Sequence, residues 1–532
     1  MTENDPSTEQ VEMVYQMNGV CDQLWKTTAM PQIPSSPPIK NDASWRHNLA
    51  TAGRGLLTGV TFLLFILLAP IIGVITLIFW LYRAILILTI KMRASDLVTM
   101  VDGDDSMWLQ DDDTNRAIIN IMLIHRGNPN IASLRAVFFK RLVEARDANG
   151  VKYYPKLSQY ATKVIRRYVW KEEKHFDIAD HVFIHKVPLP TDKLQREVLI
   201  GEIVSTGLPD EKSAWQAVVL VGENPPTTGV GDFYILFRIH HSVGDGISLI
   251  RTLMYSLVDK SPPLVRSNRF CAKGVVIRVI KALVEGPLVL AERFTWRGDH
   301  SVLHGKPLSG TKLLAWSEPI DLSLIKKIKN VSGATVNDVL ISCLSSAFGD
   351  YLRQLGSDVT ATNLNAYIPV DIRPASHSGS RMTNRFALVF LQLPIASENA
   401  LDTLHTTKAR MDCIKSSPEP LVSGFAITYG MNHLPNWSTK CVFDWLSSKC
   451  TLVLSNVPGP TQSLSIDGHL LEGITFWPPQ RSNIGLGVSI FSYGGYVRVG
   501  LLADKVLMEK PRIIIDSFVQ KVDELVKVLK LE

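Results

Sequence analysis

Two adjacent histidines and an aspartate, His240, His241 and Asp245, are the residues of this chain best suited to acid–base chemistry. An imidazole can take a proton from a hydroxyl group near neutral pH. Asp245 lies within one helical turn of His241, where a carboxylate could accept a hydrogen bond, bind a cation or cap a helix. Adjacent histidines in a strand point to opposite faces, which disfavours a metal site at this pair. By themselves these residues fit a buried polar turn at least as well as a catalytic centre.

The segments on either side predict where these side chains lie. Phe233–Phe237 is apolar and aromatic and predicts a buried strand. From Ile247 to Leu257 apolar residues recur at helical spacing and predict a helix. Gly244 and Gly246 would allow a tight turn or a positive φ between the two. We therefore expect the histidines at a strand-to-helix turn, where α/β proteins expose reactive side chains at the mouth of a cleft.

The complete string His-His-x-x-x-Asp-Gly and four further motifs narrow the interpretation. The further motifs are Thr335–Leu340 (TVNDVL), Pro369–Arg373 (PVDIR), Asn384–Phe386 ahead of Leu393-Pro394, and Ser455–Pro460 (SNVPGP). In this order they resemble the wax ester synthase/diacylglycerol acyltransferase family of the CoA-dependent acyltransferase superfamily, from about Leu97 to the C-terminus. The resemblance implies an α/β fold with two chloramphenicol-acetyltransferase-like subdomains, mixed sheets and a central substrate channel. Alternating helices and strands in both halves of the chain agree with an α/β class.

The resemblance also implies residue roles. His241 would be the general base that removes the proton of an acceptor alcohol, and His240 would support the turn or line the channel. Asp245 would be structural and would pair with Arg373, with Gly246 as a second support of the site. Direct transfer without an acyl-enzyme is expected, because the chain lacks the G-x-S-x-G sequence of serine acyltransferases.

Substrate-binding candidates come from the other motifs. Asn337 and Asp338 would lie near the channel, although Asn or Asp at a helix start is as often a cap. Ser455 and Asn456 could donate hydrogen bonds to a tetrahedral oxyanion, although they could equally belong to a turn after a strand. Asn384, with its neighbour Thr383, is a candidate for the channel wall.

Composition limits the class of protein. The net charge of +6 with no long basic run gives no indication of nucleic-acid binding. Six scattered cysteines without a CxxC pair favour a reduced, cytosol-facing protein without a zinc site. We expect no cofactor, with acyl-CoA as a substrate.

Residues 55–91 are almost wholly apolar and predict a transmembrane segment, either one span or a hairpin broken at Pro70. Basic residues are balanced on its two sides, so the positive-inside rule selects no orientation. Residues 1–54 are polar and predicted to be disordered. The predicted body consists of an N-terminal subdomain over 94–262, a crossover over 263–312 and a C-terminal subdomain over 313–532. The basic amphipathic part of the crossover suits a membrane surface, and it suits a linker helix packed on the body equally well.

The expected function is transfer of a fatty acyl group from acyl-CoA to a long-chain alcohol, diacylglycerol or both, at a lipid bilayer. We expect the endoplasmic reticulum membrane or a lipid droplet, with the catalytic body in the cytosol. Two alternatives stay open: an inactive membrane-anchored lipid-binding protein of the same fold, and a CoA-dependent acyltransferase with a different acceptor. Other acyltransferase classes fit less well, because Glu472–Thr475 is a poor version of the second glycerophosphate-acyltransferase motif and one apolar region cannot make a multi-span enzyme.

Overall fold

The computed structural model describes residues 43–93, 99–222, 232–262, 272–373 and 382–531. The chain divides into two compact units, residues 1–57 and 58–532. Of the first unit, the described part is the beginning of a helix. The predicted disorder of residues 1–42 lies outside the described residues, but residues 43–54 are helical, which corrects that prediction at its C-terminal end.

Helix α1 spans Ala43–Arg93 and is 51 residues long. It continues through Pro70 without a break, so the structure does not contain the hairpin alternative. Its section Ala52–Met92 is long and apolar enough to cross a membrane, and none of its most apolar window is buried by the rest of the protein. Leu56 and Leu67 are each 71% exposed, so the apolar side chains in this part of the helix are not packed against other parts of the protein.

The first half of the α/β body alternates strands and helices. Its elements are β1 Thr99–Met100, α2 Gly103–Ser106, β2 Ile118–Arg126, α3 Ile131–Phe138, β3 Gln159–Val164, β4 Arg167–Glu172, α4 Ile178–His181, β5 Val182–Ile184, α5 Lys193–Ser205, β6 Trp215–Val221, β7 Asp232–His240, α6 Gly246–Thr252 and α7 Ala272–Thr295.

The second half follows with larger helices. Its elements are β8 Lys312–Trp316, β9 Ile320–Asp321, α8 Leu322–Ser332, α9 Val336–Gln354, β10 Asn365–Asp371, β11 Phe386–Gln392, α10 Ala400–Ser416, α11 Glu419–His433, α12 Asn436–Ser447, β12 Leu452–Pro458, β13 Ser465–Ile466, β14 His469–Trp477, β15 Leu486–Tyr493, β16 Tyr496–Asp504 and α13 Arg512–Val528.

Two large mixed sheets organise the body, which confirms the predicted α/β class. The first has the order β13-β14-β2-β7-β6-β5, in which β5 and β6 are parallel. The second has the order β11-β10-β12-β15-β16-β8, with β9 beside β16 and with β10, β12 and β15 parallel. A small sheet, β1-β4-β3, completes the first half. Because β13 and β14 come from the second half of the chain, the first sheet combines strands of both halves. Residues 58–532 form one compact unit, so the division into subdomains over 94–262 and 313–532 stays a prediction.

The strand that carries the histidines is buried on both faces. In β7 the residues from Phe233 to Ile239 are all buried, and they pack alternately into two hydrophobic clusters. A strand covered on both sides reads as a continuous apolar run rather than an alternating one. Val457 and Phe491 from the second sheet belong to one of these clusters, so the two subdomains meet over the histidine turn.

Two helices have local irregularities. Helix α3 ends at Phe138 and continues as one wider π turn to Val143. Helix α7 passes through Pro287 without a break.

Candidate active site

The histidine turn is fixed by its own backbone. Strand β7 ends at His240, and the N–H group of His241 donates to the carbonyl oxygen of Ala117 at 2.8 Å. Asp245 is the N-cap of α6, and its Oδ1 atom accepts from the N–H group of Ser248 at 2.9 Å. The predicted strand–turn–helix unit is therefore present.

The two glycines of the turn differ from their predicted roles. Neither has a positive φ. A Cβ atom at Gly244 would lie 2.8 Å from Oγ of Ser248 and 3.2 Å from Cβ of Met382, so close packing requires glycine there. A Cβ atom at Gly246 would meet nothing within 4 Å. Close packing therefore excludes a side chain at position 244 but leaves room for one at position 246.

His241 is buried beneath an aromatic ring. Its side chain stacks on Trp108 with 3.7 Å between ring centroids, and Phe386 lies edge-on at 6.2 Å. The residue is 7% exposed, and its Nδ1 atom has no hydrogen-bond partner. Burial lowers the pKa of His241 to about 3, and the nearby charges of His240 and Arg481 act in the same direction. The imidazole is thus neutral at pH 7, as a general base must be, but the expected exposure in a cleft is wrong for this structure.

His240 makes its contacts elsewhere. Its Nδ1 atom lies 2.8 Å from Oγ of Ser242, and its Nε2 atom lies 3.2 Å from Oδ2 of Asp111. The same Asp111 oxygen accepts from the N–H group of Ala117 at 2.8 Å. The hydrogen bond from His240 lowers the pKa of Asp111, although burial opposes that effect. These contacts make His240 a support of the turn, with Asp111 as its buried partner.

Arg373 and Asp245 form the predicted pair. The Nη2 atom of Arg373 lies 2.5 Å from Oδ2 of Asp245 and also donates to the carbonyl oxygen of Thr383 at 2.7 Å. Its Nη1 atom donates to Asp371 at 3.0 Å. The N–H group of Arg385 donates to the same Asp245 oxygen at 2.9 Å. Both charged side chains are buried, so the turn is locked to the second subdomain by charge-assisted hydrogen bonds.

Asn384 contacts the turn from behind, and its predicted role in the channel wall stays a prediction. Its Nδ2 group donates to the carbonyl oxygen of His241 and to Oδ1 of Asp105, both at 2.8 Å. Lys156 lies 2.6 Å from the other Asp105 oxygen and donates to the carbonyl oxygen of Val243 at 3.2 Å. All of these side chains are largely buried. Asp105 and Lys156 were missed from the sequence, because nothing local distinguishes them from surface charges.

The remaining candidates divide between two faces of the second sheet. Asp338 forms a capping box with Thr335 and is fully buried, so the capping interpretation holds and its assignment to substrate binding is not supported. The Nδ2 group of Asn456 donates to Oδ1 of Asn337 at 2.6 Å. Alternate residues of a strand face opposite sides, so Ser455 lies with Val457 on the side of the histidine turn while Asn456 faces α9. Ser455 and Asn456 therefore cannot act together on one oxyanion.

Two further residues were missed from the sequence. Trp108 covers His241, as described above. The guanidinium of Arg481 donates to the carbonyl oxygen of Met107 at 2.6 Å and lies over the ring of Phe443 at 5.0 Å. Burial lowers the pKa of Arg481 to about 10. A tryptophan in an unremarkable segment gives no local signal, because its position over the histidine is set by the tertiary fold.

The described residues contain no group of three or more His, Cys, Asp or Glu side chains that could hold a metal ion. The expectation that no cofactor is used stays a prediction.

The two mixed sheets and the His-His-x-x-x-Asp-Gly turn at their junction agree with the acyltransferase family that the motifs resemble. Comparison with protein-family models identifies the family. Residues 104–271 match the wax ester synthase/diacylglycerol acyltransferase catalytic domain, and residues 382–526 match the C-terminal domain of the same family. Together the two matches cover more than half of the chain. The chain belongs to the wax ester synthase/diacylglycerol acyltransferase family, and it is an acyltransferase.

Individual relatives agree with this assignment. The chain is 25% identical to wax ester synthase/diacylglycerol acyltransferase 10 of Arabidopsis thaliana, over 65% of this chain and 82% of the relative. It is 24% identical to an O-acyltransferase of Acinetobacter baylyi (63% and 78% covered) and 22% identical to a probable diacylglycerol O-acyltransferase of Mycobacterium tuberculosis (63% and 76% covered).

Solved structures share the fold. The wax ester synthase/diacylglycerol acyltransferase from Marinobacter aquaeolei VT8 superimposes with a TM-score of 0.57 at 21% identity, covering 81% of this chain and all of that one. A trichothecene 15-O-acetyltransferase from Fusarium sporotrichioides gives 0.52 at 13% identity, covering 80% and 94%.

Proposed function

We propose that this protein is a membrane-bound O-acyltransferase that moves a fatty acyl group from acyl-CoA to a long-chain alcohol, to diacylglycerol, or to both. The products are wax ester and triacylglycerol, with free CoA released. The observation that carries the proposal is the position of His241: a buried imidazole where the two halves of the chain meet, with its carbonyl oxygen held by Asn384 and its ring covered by Trp108.

In this mechanism His241 takes the proton of the acceptor hydroxyl as the alcohol oxygen attacks the carbonyl carbon of the thioester. The tetrahedral intermediate collapses with cleavage of the C–S bond. The imidazolium then returns its proton to the departing thiolate, so protons and electron pairs balance within one ternary complex. Ser455, on the side of the second sheet that faces the turn, is the candidate donor to the oxyanion.

Membrane attachment is part of the proposal and is supported by α1. A 41-residue apolar segment, Ala52–Met92, exceeds the roughly 20 residues that cross a bilayer. We place the protein in the endoplasmic reticulum membrane, with exchange to lipid droplets, because acyl-CoA is cytosolic and the acceptors reside in the bilayer. Retention in the membrane pellet after alkaline carbonate washing tests the attachment.

The decisive experiment incubates the detergent-solubilised full chain with radiolabelled acyl-CoA and with hexadecanol or diacylglycerol in separate reactions. Label in wax ester or triacylglycerol is expected for the unmodified chain and not for His241→Gln. Initial-rate patterns should be sequential, since both substrates must be bound together. Absence of product with either acceptor would exclude this function, and label found only with another alcohol would retain the reaction and change the acceptor.

A further inference from the structure

Three neighbouring helices of the body expose an unusual number of large apolar side chains. We refer to this set as the apolar face, and it consists of Val276, Ile277, Val279, Ile280 and Leu283 on α7, Leu421 and Phe425 on α11, and Trp437 and Trp445 on α12. Ile277 and Phe425 are each 70% exposed. Exposed clusters of this kind mark interaction surfaces, because contact with water is costly for so many apolar groups together.

The apolar face belongs to a well-anchored part of the body. Arg293 on α7 forms a mostly buried ion pair with Glu419 on α11 at 2.9 Å. The indole N–H group of Trp445 donates to the carbonyl oxygen of Phe294 at 3.4 Å, which connects α12 to α7. The exposed side chains are therefore held by packed helices, and their exposure is a property of the folded body.

The apolar face continues into the contact between the body and α1. The hydroxyl group of Tyr429, on α11, donates to Oγ1 of Thr76 at 2.9 Å. Phe425 stacks on Tyr429 with 5.5 Å between ring centroids. Along α11, therefore, the exposed face and the contact with the apolar helix are one helical turn apart.

The length of α1 places that contact near the membrane boundary. The 41 residues of Ala52–Met92 extend for about 60 Å at 1.5 Å per residue, whereas the hydrocarbon core is roughly 30 Å thick. About half of the segment is enough to cross the core. With the first half of the segment across the core, Thr76 and its contact with Tyr429 lie at the edge of the core, and the unbroken helix continues from there beside the body.

We propose that the apolar face docks on the same lipid bilayer that holds α1. This inference rests on the membrane attachment of α1 proposed above. Aliphatic side chains on α7 would enter the interface, and Trp437 and Trp445 are of the residue type that concentrates at the headgroup level.

Docking in this orientation would bring the reaction centre close to the lipids. On the side of α11 towards the histidine turn, the Oδ1 atom of Asn432 accepts from the N–H group of Gly103 at 3.2 Å. Helix α2 begins at Gly103 and leads directly to Trp108, which covers His241. Helix α11, which carries Phe425, therefore contacts the segment that covers the base.

The test places a fluorescent label on the apolar face of the full chain in lipid nanodiscs. Bimane is attached to Ile277→Cys or Phe425→Cys in a chain whose Cys21, Cys271, Cys413 and Cys441 are replaced by serine. Val331→Cys on α8, which is 46% exposed and outside the apolar face, is the matched control. With dibrominated phosphatidylcholine we expect at least a twofold stronger quenching at positions 277 and 425 than at position 331.

Equal quenching at the three positions would overturn the proposal. Shielding of positions 277 and 425 from aqueous iodide without quenching by brominated lipid would also overturn it, because a second copy or another protein would then cover the face. The measurement needs no turnover, so it remains decisive even if the acyltransferase assay fails.

A second measurement connects docking to catalysis. Ile277→Ser and Phe425→Ser should raise the apparent KM for diacylglycerol presented in vesicles by threefold or more. The rate with a short-chain alcohol in detergent should stay within twofold of the unmodified chain. An equal loss of activity with both acceptors would contradict a specific role in lipid access and would indicate damage to the fold. Unchanged activity with both acceptors would contradict a role of the apolar face in substrate access.

Discussion

The Nη2 atom of Arg373 lies 2.5 Å from the Oδ2 atom of Asp245, and this buried pair joins the histidine turn of the first subdomain to β10 of the second. The arrangement is asymmetric. Without Asp245, the guanidinium of Arg373 keeps Asp371 as a counterion. Without Arg373, the carboxylate of Asp245 keeps only main-chain N–H donors, from Ser248 and Arg385, among its hydrogen bonds in the structure.

Arg373→Ala should therefore destabilise the protein more than Asp245→Asn. Leaving a buried carboxylate without its cation costs about 3–5 kcal/mol, whereas Asp245→Asn removes a charge and keeps the helix cap. Both changes should reduce acyl transfer, because both loosen the turn that carries His241. Denaturant unfolding in detergent measures the difference.

Lys408→Ala removes an exposed ion pair with Asp412 and serves as the control, with a much smaller expected change because solvent screens the pair. If Arg373→Ala kept the stability of the unmodified chain and lost only activity, the pair would be a chemical participant and not a support. Partial non-additivity is expected for the double variant, since the two side chains share one hydrogen-bond network.

His241→Gln should reduce kcat by roughly 10²–10⁴-fold, the usual effect of removing a general base. Glutamine is preferred to alanine, because His241 is buried under Trp108 and alanine would leave a cavity. His125→Gln is the matched control: His125 is fully buried beside Phe233, outside the site. Retention of full activity by His241→Gln would refute the assignment of the base.

Asn384→Ala tests positioning. The amide holds the carbonyl oxygen of His241 and one oxygen of Asp105, so its loss should lower kcat by about tenfold or more while the KM for acyl-CoA changes little. The expected loss corresponds to about 1–3 kcal/mol for buried groups left unpaired. A large rise in KM with kcat unchanged would return Asn384 to the channel wall, where the sequence placed it.

The motifs predicted the strand–turn–helix unit and the Arg373–Asp245 pair because both depend on residues within recognisable strings. They did not reveal Asp105, Lys156 or Trp108, since each reaches the turn through tertiary packing from a segment without a local signal. Ser455 and Asn456 were grouped because they are neighbours in sequence, but the alternation of a strand separates them. The burial of His241 could not be read from the sequence, because it depends on where the segment after α2 comes to lie.

Trp108→Ala should uncover His241. Mass-spectrometric mapping after brief treatment with diethylpyrocarbonate should show modification of His241 in the variant and protection in the unmodified chain. Hydrolysis of acyl-CoA without acceptor should rise severalfold, because the ring excludes water from the base in the closed site. Tyr496→Ala, which removes an exposed aromatic ring from β16 outside the apolar face, is the control. Equal protection of His241 in the variant would contradict the covering role of Trp108.

Acid should destabilise the protein through its buried histidines. Burial lowers the pKa of His125 to about 4 and that of His241 to about 3, against an unfolded value of about 6.5. Between pH 6.5 and 4 the unfolded chain therefore binds protons that the folded chain does not, so each imidazole stabilises the fold above pH 6.5 and loses that contribution as the pH falls. Burial raises the pKa of Asp299 to about 7, so this carboxyl group makes the unfolding free energy change with pH in the opposite direction. The contribution of one histidine is therefore measured by comparing the unmodified chain with a variant.

The difference in unfolding free energy between the unmodified chain and His125→Gln should fall by up to ~1.4 kcal/mol per pH unit as the pH decreases through this window. If His125→Gln changed the free energy of unfolding by the same amount at pH 7.5 and at pH 5, His125 would take up its proton equally in the folded and unfolded states. Burial of His125 would then not be a cause of the acid sensitivity.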